Sequence, residues 1–380
     1  MNPFAGLTNE AVFAFLVCST GSMESIQKAR PKNHRPKERC RVLDKNDTII
    51  MRNLGFLKGS YKLYSTIYKL VFLSFFFQNR IKMNASSETW QLGSQAVQVS
   101  HLDKIYWPQV EFTKGDMLHY YRQIAHVALP YFKDRPVTLR MFPQGVTGVS
   151  YYLRDCPDSA PDWLRRVEYR PKTVKHSVAL PLIDNAAGLI WFANEGAIEF
   201  HLWNAQVPDL TQPDQAIFDL DPGETASFQE VREAALRLHD QLEQAGVRGY
   251  PKTSGGGGLH VYVPLGAGYA FERVRTWVKT VGEQLATAYP KLIALAHGST
   301  HRGGHVTIDP GQNSIGRNTA APYTLRASTS HPTVSTPLSW EELDGGDIHP
   351  ADLTPQVVLE RVQRLGDLFA PVLHTHQHMP

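Results

Sequence analysis

The chain has 380 residues, of which 42% are hydrophobic, and a formal net charge of +3. This length and apolar content are ample for a large core and indicate two or three structural units. The three cysteines, Cys18, Cys40 and Cys156, show no CxxC spacing. That argues against a zinc site or a disulfide framework and indicates a reducing compartment.

The charge is distributed unevenly along the chain. Residues 1–82 contain 14 Lys/Arg and 5 Asp/Glu, and subtracting them from the totals of 39 and 36 leaves 25 basic and 31 acidic residues for 83–380. Bulk charge therefore does not argue for nucleic-acid binding by the main body. Any such site there must be a local basic patch around an acidic metal centre.

Residues 1–82 also differ in pattern from the rest. The apolar run Leu70–Phe77 is too short for a membrane span of about 20 residues, and Asn2–Thr20 lacks the basic segment that opens a signal peptide. Between them lies the basic stretch Lys28–Arg41. We predict a poorly ordered or non-native basic extension before a domain that begins near Met83, and no membrane association. The alternative is a basic arm that helps to hold nucleic acid.

Helical spacing and capping signals predict four helices in the main body. Thr113 and Asp116 form a capping box for the first, which Pro130 is expected to end. Ser227 and Glu230 form a second capping box, for a helix that stops at a glycine, Gly246. The other two helices are predicted at Phe271–Tyr289 and Pro355–Leu368.

Strand-like runs are interspersed with these helices. The segments Leu189–Ala193 and Ala197–Leu202 predict a strand–turn–strand or strand–helix region. Mixing of strands and helices without strict alternation favours an α+β (mixed α/β) fold over a doubly wound parallel one. The remaining strands are predicted at Val137–Phe142, Val149–Leu153, Ile217–Asp221, Leu259–Leu265, Val306–Asp309 and Tyr323–Ala327.

The apolar run Ile217–Pro222 contains two acids. In an extended strand Asp219 and Asp221 point to the same face, where two like charges repel unless a cation lies between them. A second strand-like run ends in a third acid, Asp309. Three carboxylates from two strands can hold two Mg²⁺ or Mn²⁺ ions about 4 Å apart, as in polymerases and nucleases. The alternative is that the first two acids only begin a turn before Pro222.

Four consecutive glycines, Gly255–Gly258, follow Ser254 and precede a strand. Because Walker loops and Rossmann fingerprints open a helix, the run is neither of these. Its backbone N–H groups can still approach a phosphate closely, with the Ser254 hydroxyl beside them. The alternative is a flexible hairpin connection.

Further polar residues are candidates for the same site. Arg326 ends a strand-like run and can clamp a triphosphate through two guanidinium nitrogens, and Gln312 and Arg317 precede it. The alternative for Arg326 is an exposed surface arginine. His201 and His260 lie in apolar runs, where a histidine is more often a hydrogen-bonded core residue than a ligand.

The order of these motifs resembles the polymerase domain of bacterial ligase D. That domain belongs to the archaeo-eukaryotic primase superfamily and acts in non-homologous end joining. The resemblance runs from about Val97 to Leu373. It is carried by DLDP from Asp219, KTSGGGGLHVYVPL from Lys252, ID-x-x-QN from Ile308, APYTLRA from Ala321, Asp103-Lys104, Trp107-Pro108, Thr113-Lys114-Gly115-Asp116, Arg135-Pro136-Val137-Thr138, Ala160-Pro161-Asp162-Trp163-Leu164 and Glu199-Phe200-His201.

The resemblance implies a primase-like fold in which an RRM-like catalytic sheet packs with an N-terminal α/β module. The implied organisation is one primase-polymerase domain at 83–373 followed by a tail at 374–380. Within the domain, the N-terminal module is expected at about 95–210, the metal-binding catalytic module at about 211–345 and a closing helix at about 355–368.

The resemblance also implies roles for individual residues at the reaction centre. Two divalent ions, Mn²⁺ or Mg²⁺, are implied on the catalytic acids Asp219, Asp221 and Asp309. One ion would activate a primer 3′-hydroxyl and the other would bind the triphosphate of the incoming nucleotide. The residues implied around that nucleotide are His201, Ser254, Gly255, Gln312 and Arg326.

Two pairs of residues are implied to bind DNA. Lys104 and Lys114 correspond to a pair that grips the 5′-phosphate at a gap or break, a group with up to two negative charges. Tyr151 and Tyr152 fall where the family stacks aromatic rings on template bases. Because neighbouring strand residues face opposite ways, one tyrosine is expected in the core and the other exposed. The implied reaction is template-directed addition of nucleotides, with ribonucleotides preferred, to primer 3′-hydroxyls.

The chain departs from the family pattern at two places. Gly257 stands where the family usually has Lys or Arg, which predicts weaker nucleotide binding, or compensation by Lys252 or Arg317. After about residue 373 no ligase or phosphoesterase domain follows Thr375–His378. We therefore expect a stand-alone polymerase that works with Ku and a separate ATP-dependent DNA ligase in the bacterial cytoplasm, at the nucleoid.

Two other functions stay open on the sequence alone. The first is a primase that starts chains de novo. The second is a non-catalytic, or catalytically weak, adaptor that binds DNA ends and has kept the fold. The complete set of three acids argues against the adaptor, whereas Gly257 favours it.

Overall fold

The computed structural model describes residues 87–170, 177–295, 303–328 and 330–380, and the expectation for residues 1–82 lies outside these ranges. Helices and strands are mixed along the described chain, which confirms the predicted α+β (mixed α/β) class. Within the described part, no helix is both long and apolar enough to span a bilayer.

The strands are Ser87–Leu92 (β1), Gln95–Ser100 (β2), Ile105–Trp107 (β3), Phe112–Thr113 (β4), Val137–Met141 (β5), Tyr151–Leu153 (β6), Arg166–Tyr169 (β7), Val178–Pro181 (β8), Ala197–Trp203 (β9), Gln215–Pro222 (β10), Tyr250–Thr253 (β11), Leu259–Pro264 (β12), Ile293–Leu295 (β13), Val306–Ile308 (β14), Asn318–Ala320 (β15), Leu325–Arg326 (β16) and Thr333–Val334 (β17). The helices are Lys114–Phe132 (α1), Ala186–Asn194 (α2), Phe228–Gln244 (α3), Phe271–Ala288 (α4), Trp340–Gly345 (α5), Pro355–Leu365 (α6) and Pro371–His374 (α7), with 3₁₀ turns at Pro310–Asn313 and Pro350–Asp352.

Helix α1 begins as the sequence predicts and ends later. The Thr113 hydroxyl accepts from the Asp116 N–H while the Asp116 carboxylate accepts from the Thr113 N–H, so a capping box fixes the start. The prediction that Pro130 ends the helix is wrong, because the helix continues to Phe132. Pro130 removes only the N–H that would bond to the carbonyl of the exposed His126 in the last turns, and the buried Phe132 fixes the helix end to the core.

Helices α3 and α4 cover one face of a five-stranded sheet. Helix α3 starts at the predicted capping box of Ser227 and Glu230 and stops before Gly246, whose φ of 70° ends the helix. Both helices contact β10. On the side of α4, the rings of Phe218 and Trp277 lie with centroids 5.5 Å apart. This face of the sheet is therefore apolar core, and its opposite face is left for polar residues.

The five-stranded sheet places β10 at its centre. The strand order is β11-β12-β10-β14-β13, and the pairs are antiparallel except for β13 with β14. Leu220 of β10 lies opposite Leu259 of β12 and opposite Ile308 of β14. Since Phe218 and Leu220 share the face under the helices, the residues of β10 that alternate with them point to the opposite face of the sheet.

A four-stranded sheet, of order β15-β9-β5-β6, faces that polar side. The hydroxyl groups of Tyr262 on β12 and Thr319 on β15 are 2.7 Å apart, and Asn204 donates to the carbonyl of Gln312 over 3.2 Å. Strand β15 comes from the segment predicted for the second module but joins the sheet of the first, so the division into two modules stays a prediction. The two sheets therefore contact each other through polar side chains.

Most of the other predicted strand and helix bounds differ from the structure by one or two residues, and two differences are larger. The strand predicted at Leu189–Ala193 is wrong, because this apolar run forms the buried helix α2, whose start is capped by the Asn185 side chain accepting from the Gly188 N–H. The strand predicted next is present as β9. The closing helix α6 ends three residues before the predicted Leu368, because Gly366 takes a positive φ of 71°.

Candidate active site

The three predicted acids lie on neighbouring strands. Asp219 and Asp221 flank Leu220 on β10 and point to the face turned away from α3 and α4. Asp309 follows β14 directly, and its backbone N–H donates to the Asp219 carbonyl over 3.1 Å. Because Leu220 pairs with Ile308, this bond places Asp309 directly opposite Asp219. The register of the sheet therefore brings the three backbone positions together.

Asp219 has a buried carboxylate with an unused oxygen. The residue is 5% exposed, and its Oδ1 has no hydrogen-bond partner among the described residues. Nε2 of His260 lies 3.2 Å from Oδ1, which is ion-pair distance, but its N–H is poorly aligned for a hydrogen bond. Burial raises the pKa of Asp219, yet His260, Gln312 and Lys252 together hold that pKa below its usual value. A buried, ionised oxygen with free lone pairs suits a hard cation.

The carboxylate of Asp309 is engaged in a turn. Its Oδ1 accepts from the Gly311 N–H over 2.8 Å and so caps the 3₁₀ turn Pro310–Asn313. At the end of this turn, the Asn313 side chain accepts from the Ile217 N–H and donates to the Ile217 carbonyl, at 2.8 and 2.7 Å. Asn313 thereby takes the place of a strand partner for β10 and fixes the turn against it.

The side chains of the acids do not converge in this conformation. Among the described residues, no group of three or more His, Cys, Asp or Glu side chains is close enough to hold a metal ion. The donor set nevertheless fits Mn²⁺ or Mg²⁺, since it consists of carboxylate oxygens and includes the orphaned oxygen of Asp219.

The glycine loop lies against the acids. The Ser254 hydroxyl oxygen accepts from the N–H groups of Gly256 and Gly258, each over 3.2 Å, so only its proton remains to be donated. Gly255 has a φ of 78°, and a Cβ there would lie 2.2 Å from Cγ of Arg326. A Cβ on Gly258 would lie 3.2 Å from Oδ1 of Asp221. The loop therefore touches both Asp221 and Arg326 and has no room for side chains at these two glycines.

A single buried carboxylate holds two of the predicted nucleotide-binding residues. Glu199 on β9 is 1% exposed, and His201 donates to it from Nε2 over 3.0 Å. Arg326 Nε lies 3.6 Å and Arg140 Nη1 3.3 Å from its other oxygen, which also accepts from the Ala327 N–H over 3.0 Å. Burial raises the pKa of Glu199, but His201, Arg326 and the Ala327 N–H lower it to about 2. Arg326 in turn donates to the Ser254 carbonyl, which connects the cluster to the glycine loop.

The paired tyrosines on β6 are arranged as the alternation predicts. Tyr152 is 56% exposed, whereas Tyr151 is half-buried and packs against the core. The ring of Tyr152 lies 6.0 Å from that of His201, and the guanidinium of Arg140 lies 5.8 Å from its centroid. Tyr152 thus presents an open aromatic face beside the Glu199 cluster, whereas Tyr151 supports the strand. Their role in stacking on a template stays a prediction.

The two predicted phosphate-binding lysines form a separate group. The ammonium of Lys104 donates to the Pro143 carbonyl over 2.6 Å and to Gln144 over 2.8 Å. Lys114 is buried and donates to the Ser100 carbonyl over 2.7 Å. Burial lowers the pKa of Lys114 to about 8, against the opposing effect of Glu195 and with a further lowering by Lys104. The repulsion shows that the two charges are near neighbours, and a dianion between them would relieve it.

The remaining residues named from the sequence lie in different places: one at the acids, one on the surface and one in the core. Gln312 lies in the turn after Asp309 and its side chain lowers the pKa of Asp219, so it belongs to the acidic centre. Arg317 is exposed. Lys252 is fully buried behind His260, so it is excluded as a replacement for the cation that Gly257 lacks.

Four residues support the site in ways that the sequence did not predict. Glu199 accepts from His201, His260 lies at ion-pair distance from Asp219, Lys252 contacts His260, and Asn313 bonds to the backbone of β10. For Glu199 a signal existed, because a residue two positions before His201 on a strand shares its face. The partners of the other three lie on different strands and depend on the register of the sheet.

Residues 113–369 match the family described as LigD, primase-polymerase domain. Among curated proteins, the multifunctional non-homologous end joining protein LigD of Mycolicibacterium smegmatis is 33% identical over 280 residues, or 73% of this chain and 36% of that protein. The LigD of Mycobacterium tuberculosis H37Rv is 35% identical over 288 residues, or 72% of this chain and 37% of that protein. The bifunctional LigD of Bacillus subtilis is 28% identical over 285 residues. The chain thus spans well under two thirds of the length of these relatives.

One solved structure extends the comparison to the fold. The polymerase domain of Mycobacterium tuberculosis ligase D, solved in complex with DNA, matches with a TM-score of 0.70 and 33% sequence identity. The match covers 75% of this chain and 100% of that one. The resemblance found in the sequence and the primase-like fold that it implies are therefore confirmed.

Proposed function

The chain belongs to the LigD primase-polymerase domain family, which consists of polymerase-type nucleotidyltransferases, and on that premise we propose that it adds nucleotides to primer 3′-hydroxyls at DNA gaps and ends. The observation that carries the proposal is the placement of Asp309 directly opposite Asp219, with Asp221 on the same face of β10. A polar sheet face with three acids, next to a glycine loop and two arginines, suits transfer of a nucleotidyl group from a triphosphate.

Divalent ions are part of the proposal. Asp219, Asp221 and Asp309 would hold them, and Mn²⁺ or Mg²⁺ bound there would supply activation of the attacking hydroxyl and neutralisation of phosphate charge. The protein contributes the buried, ionised oxygen of Asp219 and the position of Asp309 across from it. Against the effect of burial, His260 first and then Gln312 and Lys252 lower the pKa of Asp219 and favour its ionised form.

The nucleotide would lie between the two sheets. Arg326 and His201 are held by Glu199 on one side, and Ser254 and Gly255 lie on the other. Arg326 offers planar donors to phosphate oxygens, and Ser254 offers its one remaining hydroxyl proton. The exposed ring of Tyr152 beside this cluster is the proposed surface for a template base, with Tyr151 beneath it.

The biological setting follows from the relatives rather than from the site. We propose that the chain acts in non-homologous end joining with DNA ends that carry a 5′-phosphate, together with Ku and an ATP-dependent DNA ligase. A preference for ribonucleotides and a location in the bacterial cytoplasm at the nucleoid belong to the same proposal. The names of the relatives support end joining but do not extend to these finer points.

The direct test is primer extension on three substrates. A one-nucleotide gap with a 5′-phosphate, the same gap with a 5′-hydroxyl, and bare single-stranded template are incubated with ribo- or deoxyribonucleotides in Mn²⁺ or Mg²⁺. Gap filling that favours the 5′-phosphate supports the proposal. Products on bare template would favour a de novo primase, and DNA binding without incorporation on any substrate would favour an end-binding adaptor.

Binding of a 5′-phosphate is expected to weaken as the pH rises through about 8. Lys114, with a pKa of about 8, is charged below that value and loses its charge above it, while a terminal phosphate keeps two negative charges throughout. Between pH 7 and 9 the preference for 5′-phosphate over 5′-hydroxyl DNA should fall by about tenfold. The measurement is fluorescence anisotropy with both DNAs at constant ionic strength.

Two variants test whether this pH dependence comes from Lys114. Lys114→Met should lose both the preference and its pH dependence, whereas Lys133→Met, at the exposed C-terminal end of the same helix, should retain them. A preference that persists unchanged in Lys114→Met at all pH values contradicts the assignment of Lys114.

Restoring a cation in the glycine loop is expected to strengthen nucleotide binding. Gly257→Lys should lower the KM for nucleotide by about 5- to 10-fold, since one added charge contact with a phosphate contributes about 1 kcal/mol. The backbone of Gly257 lies outside the left-handed region, and a Cβ there meets only Cγ of Pro222 at 3.1 Å, so a slight shift of that ring accommodates it.

Steady-state kinetics of gap filling measure this effect. Gly257→Met adds a side chain of similar length without charge and serves as the control for crowding against Pro222. An unchanged KM in Gly257→Lys, with Gly257→Met also unchanged, would reject the idea that this position faces the triphosphate.

A further inference from the structure

A row of polar side chains leads inward from Asp219. Nε2 of His260 lies 3.2 Å from Asp219 Oδ1, and Lys252 Nζ lies 2.9 Å from the other ring nitrogen, Nδ1. Nζ of Lys252 is also 2.6 Å from the Ser335 hydroxyl, which donates to the Thr253 carbonyl over 2.8 Å. These residues come from β10, β12, β11 and the segment after β17, so the sheet register assembles them.

The direction of hydrogen donation along this row is fixed by its two ends. Asp219 Oδ1 offers only lone pairs, so the ring nitrogen of His260 that faces it, Nε2, carries the proton, in a charge contact rather than an aligned hydrogen bond. The other ring nitrogen, Nδ1, faces the amine of Lys252 at 2.9 Å and is the acceptor of that contact. Ser335 already donates to the Thr253 carbonyl and accepts from Lys252. Lys252 is thus a donor to both of its neighbours, whatever its own charge.

Lys252 is buried without a carboxylate at its amine among the described residues. It is 0% exposed, and its amine contacts a hydroxyl, a ring nitrogen and, at 3.5 Å, a backbone carbonyl, with the Tyr262 ring centroid 5.6 Å away. Burying a lysine without an ion-pair partner is expensive, and an apolar side chain of the same length would fill the space at lower cost. If Lys252 were absent, His260 could adopt the opposite tautomer and turn a lone pair towards Asp219.

We propose that Lys252 is a positioning residue for the catalytic centre: through His260 it fixes the orientation of the Asp219 carboxylate that receives the divalent ion. This inference rests on the proposed function. Removing a residue that orients a metal-binding side chain typically weakens metal affinity by about 10- to 100-fold. The same range is expected here, because Asp219 would keep its position in the backbone but lose its fixed rotation.

The test is Mn²⁺ binding to the whole protein without nucleotide or DNA, followed by the electron paramagnetic resonance signal of free Mn²⁺. Lys252→Met should raise the dissociation constant by about 10- to 100-fold, with an unfolding temperature equal to or above that of the wild type. Lys291→Met, on the surface, should change neither quantity. Retention of the fold together with weaker Mn²⁺ binding separates positioning from a general loss of stability.

A double-mutant comparison tests the route through His260. His260→Phe alone should reproduce the loss of Mn²⁺ affinity, and adding Lys252→Met to it should cause no further loss, because the intermediary is already gone. Wild-type affinity in Lys252→Met overturns the proposal, and so do additive losses in the double variant. Should Lys252→Met fail to fold, His260→Phe decides by itself: unchanged affinity overturns the proposal and reduced affinity supports it.

Failure of this inference can be told apart from failure of the proposed function. If the wild type neither binds Mn²⁺ nor incorporates nucleotides, the function is wrong and the role of Lys252 falls with it. If the wild type does both and Lys252→Met binds Mn²⁺ equally well, only the role of Lys252 is overturned.

Discussion

Asp219→Asn is expected to reduce nucleotide incorporation by about 10³-fold or more, equivalent to at least about 4 kcal/mol of transition-state stabilisation. The amide has nearly the same shape but lacks the charge that a divalent ion requires. Asp219 Oδ1 accepts no hydrogen bond from the described residues, so this oxygen is available to a divalent ion. Primer extension at a gap measures the loss, and circular dichroism checks the fold.

The same variant should also lose some stability at pH 7. Although Asp219 is buried, His260, Gln312 and Lys252 hold its pKa below the usual value, so the folded protein favours the charged form that the amide lacks. Asp344→Asn, in an exposed position on α5, is the matched control and should leave both activity and stability unchanged. Incorporation by Asp219→Asn at a rate within tenfold of the wild type would exclude the proposed role of the three acids.

Glu199→Gln is expected to raise the KM for nucleotide by about 10- to 100-fold with a smaller effect on kcat. The substitution removes the charge that holds Arg326 and His201 against the same carboxylate, so both lose their fixed orientation. A substitution that weakens binding of the substrate and of the transition state equally raises KM and leaves kcat unchanged. Because Arg326 and Arg140 then face a neutral group in a buried setting, the free energy of unfolding at pH 7 should also fall by about 3 kcal/mol.

The pH dependence of stability provides the second measurement for Glu199. Its pKa of about 2 in the folded protein lies below the usual value of 4.5, so its contribution is complete above about pH 4.5 and is lost as the pH falls through about 2. The difference in unfolding free energy between wild type and Glu199→Gln should therefore shrink as urea titrations move from pH 7 to pH 3.

The matched control for Glu199 is Glu233→Gln on α3. It also removes a carboxylate paired with an arginine, Arg237 at 3.3 Å, but both side chains of this pair are largely exposed. An exposed ion pair contributes less than about 1 kcal/mol, so neither the KM nor the stability should change measurably. Equal effects of the two substitutions would show that Glu199 has no special relation to the nucleotide site.

The sequence predicts those features of the site that depend on neighbours along the chain. Capping boxes identified the starts of α1 and α3, and strand alternation placed Asp219 and Asp221 on one face and separated Tyr151 from Tyr152. These inferences need only local geometry, with periods of 3.6 and 2. The third acid, Asp309, was identified because it ends another strand-like run, and the resemblance to ligase D polymerases supported joining it to the pair, which local geometry alone could not establish.

Features that depend on the pairing of strands were not predictable in this way. Lys252 lies opposite His260 only because β11 pairs with β12 in one register, and His260 lies opposite Asp219 only because β12 pairs with β10. A shift of one residue in either pair would turn the side chains to the other face. The end of α1 was not predictable either. The helix tolerates Pro130 because tertiary packing buries the residues that follow it.

The hydrogen bonds that Asn313 makes to β10 have a consequence for metal binding. Because the turn from Asp309 to Asn313 is tied to the strand by three hydrogen bonds, turn and strand form a preorganised unit. For Asp309 Oδ1 to bind an ion, its contact with the Gly311 amide must be released, a bond that contributes about 1 kcal/mol. Amide hydrogen exchange should therefore be equally slow in this unit with and without Mn²⁺, and the ion should bind without any detectable ordering of the chain.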